Sequence, residues 1–251
     1  MEAKQRQLDD DARVARETAA SLEARFGALE PEHAIALSCG RFEPGEVAVL
    51  SSFGADSAVL LHMISRIDPA LPVVFLDTGK HFGEIIDYRD RLVADLGLTD
   101  IRVVRPQEAA LRRADPTGDL HKSDTDACCA VRKVEPMARG LAPFRAWFTG
   151  RKRFQAGTRG VMPVFEAVGP RVRINPLARW TTADLADYMR RHDLRENPLV
   201  AYGYLSIGCF PCTQPAAPGS DPRSGRWAGQ AKTECGIHLA GAEQSLAASS
   251  L

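Results

Sequence analysis

The chain has 251 residues, enough for one large domain or two small ones, and its 45% hydrophobic and 25% charged residues are the proportions of a globular protein. Lys+Arg and Asp+Glu are 32 each, which excludes bulk nucleic-acid binding but leaves room for a local basic pocket. No stretch approaches the ~18 apolar residues of a membrane span. The charged start Met1-Glu2-Ala3-Lys4-Gln5-Arg6 has no apolar signal core after it, so a cytoplasmic protein without a membrane partner is expected.

Residues 1–29 are polar with spaced apolar positions (Leu8, Ala12, Ala15, Leu22, Phe26, Leu29), which predicts one amphipathic helix, packed on the body or on a partner. Strand-like and helix-like segments then alternate. Val47–Ser51, Pro72–Asp77, Ile101–Arg105, Arg145–Thr149 and Val172–Ile174 read as strands, and Ser57–Ile67 and Phe82–Leu96 as helices. Thr181-Thr182-Ala183-Asp184 has capping-box spacing and opens a helix to about His192. This alternation implies an α/β fold, a doubly wound and mainly parallel sheet covered on both faces. From Pro198 the periodicity fades into a loop-rich C-terminal tail, frayed over Gly241–Leu251.

Three groups of residues point to chemistry. Ser51-Ser52-Phe53-Gly54-Ala55-Asp56-Ser57 joins a strand to a helix, where small residues and a helix N-terminus suit an anion, although an ordinary turn has the same outline. Cys128-Cys129 and Cys209-Phe210-Pro211-Cys212 supply four thiolates in two close pairs. Adjacent cysteines on a helix point about 100° apart, which suits a bulky iron–sulfur cubane better than one small ion. Zinc, or inert buried thiols, are the rival readings. Cys235, near the end, suits a nucleophile. Cys39 fits no motif and reads as a small buried hydrophobe. Basic residues gather in Gly150-Arg151-Lys152-Arg153-Phe154-Gln155, at Arg159, and in Pro222-Arg223-Ser224-Gly225-Arg226; a solvated surface is the bland alternative.

Taken together, Ser-x-Gly-x-Asp-Ser with Phe53, Leu76-Asp77-Thr78-Gly79, Cys-Cys-x-x-Arg-Lys, Gly208-Cys209-Phe210-Pro211-Cys212-Thr213, Gly225-Arg226-Trp227 and Glu234-Cys235-Gly236-Ile237-His238 resemble, in order, the iron–sulfur type of assimilatory adenylyl-sulfate (APS) reductase. The resemblance runs from about Val47 to Leu239. It implies an ATP-pyrophosphatase-like (adenine nucleotide alpha hydrolase-like) fold. It also implies thioredoxin- or glutaredoxin-dependent reduction of adenosine 5′-phosphosulfate to sulfite and AMP in sulfate assimilation. Cys128, Cys129, Cys209 and Cys212 would hold a [4Fe-4S] cluster, and Cys235 would carry the sulfonate. Ser52, Phe53, Gly54, Asp56, Ser57, Leu76, Asp77, Thr78, Lys133, Arg151, Arg159, Arg223, Arg226 and His238 would meet the substrate. The matching division is a helical segment 1–29, a nucleotide-binding α/β domain 30–205 and a cluster and catalytic tail 206–251, in a homo-oligomer. Phe154 stands where the family has an acid, and Trp227 is followed by Ala228-Gly229-Gln230 rather than further tryptophans. Rival functions are reduction of the 3′-phosphorylated substrate (PAPS), whose enzymes usually lack the paired cysteines, an iron–sulfur tRNA thiolase using ATP, and a cluster-binding sensor.

Overall fold

The computed structural model describes residues 2–229, Lys232 and 234–238. Six short strands, β1 (Val47–Leu50), β2 (Val73–Leu76), β3 (Ile101–Val104), β4 (Ala146–Thr149), β5 (Phe165–Val168) and β6 (Arg171–Ile174), form one sheet in the order β3-β2-β1-β4-β6-β5. All neighbours pair in parallel except β5, which runs antiparallel to β6. Runs such as Val-Ala-Val-Leu and Val-Val-Phe-Leu are apolar at every position because helices cover both faces. Val47, Val49, Val73, Phe75 and Phe148 face one core. Ala48, Val74, Leu76 and Trp147 face the other. The chain leaves β1 towards β2 and β3, then returns to the opposite side of β1 as β4. This reversal opens a crevice at the carboxyl ends of β1 and β4, where ligands of open α/β sheets sit.

The helices follow local signals. α1 (Glu2–Phe26) lies along β5 and β6. Ala15, Ala19 and Leu22 are its buried positions, and its Glu23 Oε2 accepts the Phe165 N–H at 2.8 Å. Of the two roles open to the amphipathic segment, packing on the body is the one taken. α2 (Pro31–Cys39) starts on proline and buries Ala34 and Ile35. α3 (Ser57–Ile67) buries Val59, Leu60, Met63 and Ile64, and α4 (Gly83–Leu96) ends on left-handed Gly97 (φ 63°). Between β3 and β4 come α5 (Glu108–Ala114), α6 (Leu120–Ser123), α7 (Thr125–Cys129), a wide π turn (Ala130–Val134) and α8 (Glu135–Leu141). α9 (Thr182–Arg191) carries the expected capping box: Asp184 N donates to Thr181 Oγ1, and Thr181 N donates to Asp184 Oδ2. Cys39 is half-buried against the main core, and burial pushes its thiol up to about 11. The expected frayed segment Gly241–Leu251 lies outside the described residues.

Several elements escaped the sequence pattern. β5 carries Glu166 in its middle, and this charge breaks the apolar alternation. Glu166 is satisfied by Arg151 (2.6 Å), Arg173 (2.8 Å) and Asn175 (2.6 Å). α5 buries no residue, and α6 and α7 are too short to show a period. The π turn interrupts the helical repeat where α7 meets α8.

A Cβ at Gly140 would lie 3.0 Å from the Val104 side chain and 3.2 Å from that of Val74. Gly140→Leu therefore lowers unfolding stability by about 1–3 kcal/mol in urea titrations. Burial works against the Glu166 carboxylate, but Arg173, Arg151 and Asn175 outweigh it and hold its pKa below the usual value. Its contribution is thus complete above the ordinary glutamate range and is lost as pH falls through the depressed value. Glu166→Gln destabilises on the order of 3 kcal/mol at pH 7, and melting curves of variant and wild type converge in acid.

Candidate active site

The loop after β1 is built to hold its backbone open at the crevice. Phe53 takes a left-handed conformation (φ 49°), costly for a residue with a Cβ. Its ring is fully buried and meets Phe75 edge-on at 5.6 Å. Asn197 Nδ2 donates to its carbonyl (3.1 Å), and its N–H donates to Ser51 Oγ (3.2 Å). The aromatic anchor offsets the strained backbone and leaves Ser52, Gly54, Asp56 and Ser57 on a cavity of about 550 Å³. Phe53 therefore faces the core and not the cavity. Asp77 likewise turns away: it accepts from Gly79 N (3.0 Å) and pairs with Arg105 (2.9 Å). Leu76 and Thr78, on either side of it, do line the cavity.

The cavity has two ends of different character. One is apolar, with Leu60 and Leu61 of α3, Leu185 and Met189 of α9, and Val200. The other gathers Lys133, Arg151, Arg159, Arg223 and Arg226 around Cys235. A ligand with a flat apolar group and an anionic group matches both ends. Most of these cations are already engaged. Arg151 pairs with Glu166; burial and the nearby Arg173 push it down to about 10, still charged at neutral pH. Arg159 and Arg223 both reach Glu234. Arg226 differs in having no ion pair among the described residues; its Nε, like that of Arg151, is buried without a hydrogen-bond partner among them, and its guanidinium lies 4.3 Å from the Trp227 ring centre. A Cβ at Gly208 would come within 2.3 Å of that guanidinium, so only glycine leaves room for it.

Sequence reasoning passed over Lys152, which is 3% exposed and bonds Asp56 Oδ2 at 2.8 Å. It stands beside Arg151 in the same basic run, and the run alone does not say which member turns inward. Arg132 is also buried. It donates to Asp115 Oδ2 (2.6 and 3.0 Å) and to the Thr78 carbonyl (2.8 Å), tying the π turn to the end of β2.

The four paired cysteines converge. Cys128 and Cys129 end α7, Cys209 and Cys212 flank a tight turn, and all four line one small cavity of about 10 Å³ with Arg132 and Lys133 beside it. Thr78 Oγ1 lies 3.4 Å from Cys209 Sγ, and His121, whose Nδ1 is buried without a hydrogen-bond partner among the described residues, lines the same cavity. Burial raises the Cys128 and Cys212 thiols. Among the described residues no three His, Cys, Asp or Glu side chains stand in a ligating arrangement about one point.

Cys235 lines the larger cavity beside Lys133 and Trp227, two residues that line both cavities. It is 8% exposed and packs with Cys129 and Trp227. Lys133 Nζ is 3.7 Å from its sulfur. A hydrogen bond from Cys129 first, then Lys133, the Ile237 N–H and Arg226, hold the Cys235 thiol well below its ordinary value against the cost of burial. Burial works against the Lys133 charge in turn, but the facing sulfurs of Cys209 and Cys235 outweigh it and raise its pKa. The site thus stabilises a buried thiolate facing cations. The side chain of His238 lies outside the described residues. No helix among the described residues is long and apolar enough to cross a membrane.

Comparison with known proteins agrees with this geometry. The phosphoadenosine phosphosulfate reductase domain model matches residues 46–215. A Mesorhizobium japonicum protein named adenosine 5′-phosphosulfate reductase is 68% identical over 256 residues, covering 100% of both chains. A protein of the same name from Chelativorans sp. is 67% identical over 90% of this chain and 92% of its own. The crystal structure of phosphoadenylyl-sulfate (PAPS) reductase from Candida auris superposes with a TM-score of 0.66 at 27% identity, covering 79% of this chain and 97% of that one. The ATP-pyrophosphatase-like, doubly wound sheet expected from the sequence is the fold found. By the domain match and these identities, the chain belongs to the phosphoadenosine phosphosulfate reductase family.

Proposed function

We propose that this protein reduces adenosine 5′-phosphosulfate to sulfite and AMP in sulfate assimilation, with Cys235 as nucleophile and a thioredoxin or glutaredoxin as reductant. The observation that carries the reading is the buried Cys235 sulfur, 3.7 Å from Lys133 Nζ and lining, with Arg223 and Arg226, the cationic end of a nucleotide-sized cavity. The nucleoside would occupy the apolar end, its phosphosulfate the cationic end. The relatives at 68% and 67% identity are named for this substrate. None of the six cysteines is in a disulfide, in keeping with work in the reducing cytoplasm.

The Cys235 thiolate attacks the sulfonyl sulfur, and the bond from that sulfur to the bridging oxygen breaks. AMP departs with the electron pair, and Cys235 keeps an S-sulfonate. Lys133 and Arg226, neither of them paired with a carboxylate among the described residues, offset charge on the departing phosphate and the transferring sulfonate. A reductant thiolate then attacks the Cys235 sulfur, sulfite leaves, and a second reductant thiol resolves the mixed disulfide. Because Cys235 is buried, the tail must open for this second step.

Cys128, Cys129, Cys209 and Cys212 would hold a [4Fe-4S] cluster. The donor set fits: four thiols line one cavity, and Arg132 and Lys133 stand by to offset thiolate charge. When bound, such a cluster would supply a local field beside the cationic end, while thiol exchange supplies the electrons.

Two measurements test the reading. Wild-type protein given APS without reductant gains a sulfonate on the peptide holding Cys235, seen by mass spectrometry. The Cys235→Ser variant gains none, and PAPS gives far less. An equal yield of sulfonate on another residue defeats the assignment. Anaerobically purified protein shows a broad brown iron–sulfur absorbance that Cys128→Ser loses; a colourless, zinc-loaded protein refutes the cluster.

A further inference from the structure

Arg159 lines the cavity, yet its hydrogen-bonding edge does not face an incoming ligand. Its Nε and Nη2 donate to both oxygens of Glu234 (2.9 and 2.8 Å), and its Nη1 donates to Gln155 Oε1 (2.6 Å). The pair is buried, with side chains 4% and 7% exposed. Arg223 Nη2 reaches the same Glu234 oxygen at 3.3 Å, and that oxygen also accepts the Cys235 N–H at 3.1 Å. One carboxylate thus joins Arg159 of the α/β body, and Arg223 further back in the C-terminal segment, to the residue that carries the reactive sulfur. Another ion pair of the tail among the described residues, Lys232 with Asp126, joins a carboxylate that is 76% exposed, where screening leaves an ion pair little strength.

We propose that Glu234 is the latch that seats Cys235 and that Arg159 is its receptor, a positioning residue rather than a substrate-binding cation. A two-pronged guanidinium–carboxylate pair fixes direction as well as distance. With Glu234 clamped and its oxygen holding the next peptide N–H, the Cys235 sulfur has little choice of position. The tail must leave for the reductant and return for the next substrate. A buried ion pair suits that duty, because its charges regain water when it opens, so opening costs far less than the bare Coulomb attraction. The inference deepens the reading of Cys235 as nucleophile and rests on it, but its primary readout does not need turnover.

The test compares intact wild type, Glu234→Gln and Arg159→Gln, each checked for unchanged melting outside the tail by circular dichroism. Alkylation of Cys235 by iodoacetamide at pH 9, followed on the tail peptide by mass spectrometry, is expected to quicken about tenfold or more in both variants, the scale for losing one partner of a buried charge pair. Turnover falls at saturating substrate while KM and the equilibrium affinity for AMP stay within about twofold. The double variant labels no faster than either single one, as residues of one unit do. Unchanged labelling in Glu234→Gln, which keeps the size and polarity of the side chain, overturns the latch. So does an Arg159→Gln variant that loses AMP affinity without faster labelling, since Arg159 would then bind the ligand directly. Absence of any sulfonate on Cys235 in wild type would defeat the nucleophile reading instead, and the labelling comparison would still decide the latch.

Discussion

Buried positive charge in need of an anion governs the architecture around this crevice. Each cation drawn out of water there must be met by a counter-charge, because an unpaired one costs several kcal/mol. The chain supplies carboxylates one by one. Asp115 meets Arg132, Glu166 meets Arg151 and Arg173, Asp56 meets Lys152, and Glu234 meets Arg159 and Arg223. Lys133 is left facing sulfur, and the Arg226 Nε has no hydrogen-bond partner among the described residues. The remaining positive field falls on Cys235 and on the space beside it, which is what a thiolate and a doubly anionic ligand both require.

The backbone makes this possible by separating support from contact. Strands buried on both faces give a rigid floor. The reversal between β1 and β4 gives the opening. Phe53 then spends its whole side chain on the core so that its neighbours can stay small and exposed at the cavity. The anchor and the contacts lie within one seven-residue loop, and the sequence motif mixes both kinds of residue without distinguishing them.

That mixing explains what was and was not legible beforehand. Strands β1 to β4 and β6 could be read because apolar runs bounded by small residues have few other uses. β5 could not, because Glu166 looks like a surface residue until Arg151, Arg173 and Asn175 are seen around it. The phosphate-type loop and the five cysteines were visible as motifs, yet motif membership does not give side-chain direction. Phe53 and Asp77 belong to their motifs and point elsewhere, while Lys152 lies in a basic run and points in. Arg159 looked like one more cation for the ligand, since its partner Glu234 lies 75 residues away and only the folded chain brings the two together. Long-range ion pairs of this kind leave no local periodicity to detect.

The π turn at Ala130–Val134 carries a consequence for the spacing of the chain itself. An ordinary helix would place Arg132 and Lys133 about 100° apart on a cylinder in phase with both α7 and α8. The wider turn instead lets α7 present its thiols, sends Arg132 to Asp115 and Lys133 to Cys235, and still brings Met137, Ala138 and Leu141 onto the sheet. Length here acts as a gear ratio between two rigid parts. Deleting a single amino acid between Cys129 and Pro136 would restore regular winding and rotate one part out of mesh with the other, so homologous chains should be collinear through this stretch even where their side chains diverge.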